Sequence, residues 1–146
     1  MLAKLDRARL SCRILVVEDD PDDIYLLRRA FKAAGEQAAR AVEIETAPNG
    51  FDAISRLVRQ DLVGNLPNVV LLDLNMPVMD GIQLLNTLRG ELSLSEPGLP
   101  TIVLTTSHEA SVHDAAREAG ATAIYVKPQT EAGLANIASK VVRCYC

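Results

Sequence analysis

The chain has 146 residues, of which 49% are apolar and 23% charged, with three cysteines and a formal net charge of −4. That length fits one domain able to bury about 68–70% of its unfolded surface, and no apolar run approaches the ~20 residues needed to span a bilayer. An acidic balance with scattered Lys and Arg argues against nonspecific nucleic-acid binding. Cys12, Cys144 and Cys146 fit neither an even disulfide framework nor a zinc set, so they read as small buried or tail thiols, with a reactive or intermolecular Cys-Tyr-Cys tail as the alternative.

Residues 1–11 (MLAKLDRARLS) carry mixed charge without the apolar stretch of a secretory signal, so they are expected to be an N-terminal extension of a cytoplasmic protein. The first apolar run, CRILVV (12–17), leads into a helix with Asp20 as its cap, Pro21 in its first turn and an apolar stripe of Ile24, Leu27, Ala30, Phe31 and Ala34, ended by Gly35. Asp22 and Asp23 read as carboxylates favouring the positive end of that helix. AVEIETA (41–47) is followed by a helix capped by Asn49 and striped by Phe51, Ile54, Leu57 and Val58. NVVLLDL (68–74) is the most apolar strand and suits burial on both faces. Its helix, capped by Asp80, carries Ile82, Leu85, Leu88 and Leu92. GELSLSEPGLP (90–100) reads as a loop, TIVLTT (101–106) as the fourth strand, and Val112, Ala115, Ala116 and Ala119 as the stripe of a helix stopped by Gly120. TAIYVK (122–127) and a helix bearing Leu134, Ile137, Ala138 and Val141 complete the series. Five strand-helix units in strict alternation predict an α/β fold with a parallel sheet covered on both faces.

In such a sheet, ligands bind beyond the carboxyl ends of the strands. Four of the predicted strands end there in polar groups: Glu18, Asp19 and Asp20; Asp73; Thr105, Thr106 and Ser107; and Lys127 before Pro128. Carboxylates brought together repel by about 4 kcal/mol per pair at 4 Å for an effective dielectric near 20. A hard cation answers them. Mg²⁺ suits one or two carboxylates with waters and phosphate oxygens, whereas the acidic loop that Ca²⁺ prefers in EF-hands is missing.

The motifs ILVVEDDPDD, VVLLDLNMPVMDG, IVLTTS and EAGATAIYVKP, in this order and spacing, resemble the receiver domain of bacterial two-component response regulators over residues 12–143, leaving 144–146 as a tail. The resemblance implies a flavodoxin-like, doubly wound five-stranded sheet of order 2-1-3-4-5. It also implies that Asp73 accepts a phosphoryl group from a phosphohistidine on a sensor histidine kinase or phosphotransfer protein. Asp19 and Asp73 would then ligate Mg²⁺ directly, Glu18 through water, and Asn75 through its backbone carbonyl. Thr105, or alternatively Thr106, would hydrogen-bond a phosphoryl oxygen and Lys127 would neutralise another. Such a chain catalyses only its own phosphorylation and dephosphorylation.

The family's usual aromatic, three residues before the lysine, is Ile124 here, and alternation points the neighbouring Tyr125 to the opposite face. Output would therefore run through helix repacking or dimerisation. The Lys127–Pro128 peptide is expected to be cis, as is usual in the family. His108 and His113 read as surface histidines. The low aromatic content, EDDPDD and LTTS are similar to single-domain regulators serving phytochrome-type or hybrid sensor kinases, and after Lys140 only VVRCYC remains. A target protein or a second copy is the expected downstream partner, with no direct nucleic-acid or membrane binding. A haloacid-dehalogenase-type phosphatase is the enzyme alternative, but it needs an aspartate where Asn75 stands. A receiver acting without phosphorylation is the other alternative.

Overall fold

The computed structural model describes residues 11–74, 81–91 and 98–146. Strands and helices alternate as β1 (Ser11–Val17), α1 (Pro21–Gln37), β2 (Ala41–Ala47), α2 (Gly50–Leu62), β3 (Val69–Asp73), α3 (Gly81–Asn86), β4 (Thr101–Thr105), α4 (Ala110–Glu118), β5 (Ala123–Val126) and α5 (Glu131–Tyr145), with α3 passing into a π-helical turn over Thr87–Glu91. The strands form one sheet in the order β2-β1-β3-β4-β5, and every pairing is parallel. This is the flavodoxin-like arrangement expected from the motifs.

Alternation along each strand divides the core into two layers. Ile14, Val16, Leu71, Ile102 and Leu104 face α1 and α5, where Leu27, Phe31, Ile137, Ala138 and Val141 meet them. Leu15, Val17, Leu72 and Val103 face the other way, against Ala53 and Leu57 of α2, Leu84 and Leu85 of α3, and Ala116 of α4. β3, in the middle of the sheet, is buried along Val69–Leu72, as its unbroken apolar sequence requires.

The helix starts follow from their caps. The Asp20 side chain accepts from Asp22 N at 2.9 Å, with Pro21 opening α1. Asn49 accepts from Asp52 N and Thr130 from Gly133 N in the same way. Gly35 does not stop α1, which continues to Gln37; the positive φ of 54° falls instead on Ala39. Gly35 is needed for close approach, because a Cβ there would lie 2.7 Å from Arg40 O and 2.8 Å from Val42 Cγ2. In α3 the buried pair is Leu84 and Leu85, with Ile82 and Leu88 only partly covered. The expected Ile82, Leu85 and Leu88 thus all reach this layer, and Leu84, which the stripe left out, joins them. Leu92 and Asp80 lie outside the described residues.

Two further expectations are corrected. Cys12 and Cys146 form a disulfide with a Cα–Cα separation of 5.3 Å, leaving Cys144 free and exposed. The pairing arises because α5 runs back along the sheet and brings the chain's last residue to the start of β1; residues read as a tail complete that helix. The Lys127–Pro128 peptide is trans, the form ordinarily favoured.

Candidate functional site

Strand parity builds the site. The register aligns Val17 with Leu72, so Glu18 and Asp73 are the next residues of adjacent strands at the carboxyl edge. Both share the parity of Val16 and Leu71 and therefore point to the α1/α5 side, as does Lys127, which shares the parity of Ala123 and Tyr125 on β5. The Lys127 ammonium lies 3.3 Å from Glu18 Oε1, 3.4 Å from Asp73 Oδ2 and 2.7 Å from Asp23 Oδ2. The sequence reading brought the first two acids to the lysine and missed Asp23. A signal was present: Asp23 lies four and eight residues before Leu27 and Phe31, so it extends the buried stripe of α1 towards the strand ends. Asp19, directly after Glu18, is exposed.

Only 3% of the Glu18 side chain is exposed. Burial, then hydrogen bonding to Asp73 and Asp23, push its carboxyl up to about 9, against the counteracting charge of Lys127. Burial alone would also raise Asp23, but hydrogen bonds with Glu18 and Lys127 outweigh it and hold Asp23 below its usual value. Burial opposes the charge on Lys127, yet the hydrogen bond it donates to Asp23 and the fields of Asp73 and Glu18 raise its affinity for the proton. The ammonium is thus the fixed charge around which the three acids are arranged.

On the opposite side of the sheet, Thr105 is buried at the end of β4 and its hydroxyl accepts from Ser107 N at 3.1 Å. Accepting one bond leaves the hydroxyl proton to donate elsewhere. Thr106 is exposed and lines an open cleft of about 610 Å³ together with Asp23, His108 and Lys127. His113, read as a surface residue, is partly buried, with Nε2 2.8 Å from Ser107 O, and so fastens the loop after β4 to α4. Ile124 packs in the α2–α4 layer and Tyr125 in the α1/α5 layer, where the Lys140 ammonium stands 5.8 Å from its ring centroid.

The donor set suits a hard divalent cation. Glu18 Oε2 is buried with no hydrogen-bond partner among the described residues, so a proton or a hydrated cation is needed to answer it. Among the described residues no three His, Cys, Asp or Glu side chains form a metal cage. Mg²⁺ needs none, since it takes one or two carboxylates and keeps its waters. Asn75 lies outside the described residues.

The family model for the response regulator receiver domain matches residues 14–139. The transcriptional regulatory protein PrrA of Mycobacterium tuberculosis is 32% identical over 124 residues, covering 85% of this chain and 47% of that protein. The chain thus spans about half the length of the curated relatives it matches. The phosphorylated cyanobacterial phytochrome response regulator RcpA superposes with a TM-score of 0.78 at 25% identity, covering 92% of this chain and 94% of that one. The Mn²⁺-bound form of response regulator Rcp1 gives 0.73 at 26% identity, with the same coverage of both chains.

Proposed function

Because the chain belongs to the response regulator receiver domain family, we propose that it is the phospho-accepting switch of a two-component phosphorelay. A carboxylate oxygen of Asp73 attacks the phosphorus of a phosphohistidine on a sensor histidine kinase or phosphotransfer protein. The new bond is P–O; the P–N bond breaks and its electron pair returns to the imidazole. The observation that carries this reading is the meeting of Glu18, Asp73 and Lys127 at one strand edge. Phosphoryl transfer is driven by positioning and charge compensation, which such an arrangement supplies.

Lys127 neutralises a phosphoryl oxygen, and a hydroxyl at the carboxyl end of β4 serves another: that of Thr105, once it turns from the other side of the sheet, or that of Thr106, which lines the cleft with Lys127. Mg²⁺ would be held by Asp19, Asp73 and the Asn75 carbonyl, with Glu18 reached through water, and when bound it compensates the charge on the phosphoryl oxygens. With Ile124 in place of an aromatic, the signal passes through repacking of helices towards a protein partner or a second copy of the chain. Likeness to a phytochrome response regulator supports a phytochrome-type or hybrid kinase as the donor, and a cytoplasmic setting goes with that partner.

Incubation with acetyl phosphate and Mg²⁺, followed by intact-mass measurement, tests the reading. One phosphoryl mass is added to the parent chain and none to Asp73→Asn. An adduct that persists in the variant, or continuous turnover of phosphate esters by the parent, refutes it.

A further inference from the structure

An ammonium has three N–H donors, and Lys127 faces three carboxylates, of which Asp23 is the nearest at 2.7 Å. Their roles differ by position. Glu18 and Asp73 sit side by side at the ends of paired strands, where the metal and the phosphoryl group would be received. Asp23 comes from α1, across the cleft it lines with Lys127. It therefore keeps its lysine contact when the other two acids are engaged.

We propose that Asp23 is the positioning residue for Lys127: it retains the ammonium beside the acceptor and keeps it from closing onto Glu18 and Asp73 in competition with Mg²⁺. This rests on the reading of the site as a magnesium-dependent phosphoacceptor. The distances motivate it, since the lysine stands closer to Asp23 than to either strand-end acid by more than half an ångström. Without Asp23, the acids left paired with the ammonium among the described residues are those two. A bare negative charge near a metal site would act differently, aiding the cation with or without the lysine.

A double-mutant cycle separates the two. Mg²⁺ affinity is measured by calorimetry on the parent, Asp23→Ala, Lys127→Met and the double variant. Asp23→Ala is expected to weaken Mg²⁺ binding about fivefold in the parent and less than about twofold in the Lys127→Met background. An equal loss in both backgrounds, or no loss in the parent, overturns the proposal. Asp23→Asn serves in the same cycle should the alanine variant not fold.

A second measurement needs no variant. In the ¹⁵N spectrum of the lysine ammonium groups, Lys127 remains slowly exchanging when Mg²⁺ is added to the parent chain, and a shift to fast solvent exchange overturns the anchor role. Failure of the parent to bind Mg²⁺ at all, or to take a phosphoryl group on Asp73, is a distinct result and strikes the proposed function itself.

Discussion

Glu18 shows how a single residue's chemistry follows from its surroundings. Its carboxyl is raised from 4.5 to about 9, first by burial and then by hydrogen bonding to Asp73. An acid whose folded pKa is raised contributes its stability below the unfolded pKa, and that contribution is lost as pH rises through the folded one. Glu18→Gln keeps the shape and removes the charge. Without Mg²⁺, the variant should gain on the parent by about 1.4 kcal/mol per pH unit, on the order of several kcal/mol in all, between about pH 5 and about pH 9. Urea unfolding at both pH values measures it, and an advantage independent of pH would contradict the assignment. Asp73 and Lys127 were legible at this scale because each closes an apolar run. Asp23 was not, because beside Asp22 it reads equally well as a charge answering the helix dipole.

Among the elements, α1 carries the clearest test of packing against intrinsic propensity. Replacing Gly by Ala inside an exposed helix typically gains about 0.8–1 kcal/mol. At position 35 the added methyl meets the Arg40 carbonyl and the Val42 side chain, one of them rigid backbone. Gly35→Ala is therefore expected to destabilise by about 1–3 kcal/mol despite the better helix former. Denaturant unfolding decides the sign, and a stabilised variant would mean that α1 moves off β2 without cost. Strand positions and two of the caps were readable in advance because both are local: Asp20 and Asn49 each bond a backbone N–H within three residues. The burial of Leu84 was not readable, because Ile82, Leu85 and Leu88, which all pack on the core, already satisfy the helical spacing.

Across the whole molecule, the Cys12–Cys146 bond closes a sequence separation of 134 residues at the amino end of β1, the pole opposite the acid cluster. Cross-links over long loops restrict the unfolded chain, typically stabilising by about 2–4 kcal/mol. Reduction with dithiothreitol, or Cys146→Ser, is expected to lower unfolding stability by that amount and to leave Asp73 phosphorylation unchanged. Thiol titration of the unfolded, unreduced chain should find one free cysteine, Cys144, of the three. Three free thiols, or an adduct yield that falls with reduction, would contradict the bond or its separation from the site.

The sequence by itself determined the alternation of strands and helices, the parallel sheet, and the polar residues at its carboxyl edge. These follow from periods of 2 and 3.6 residues and from turn and cap chemistry, all acting over a few neighbouring positions. Tertiary structure alone decided that Asp23 meets a lysine 104 residues away, that Gly35 lies against β2, and that the two ends of the described chain are bonded. Those contacts depend on how closely α1 and α5 dock on the sheet, which is set by the packing of whole faces and leaves no local pattern in the residues that come to touch.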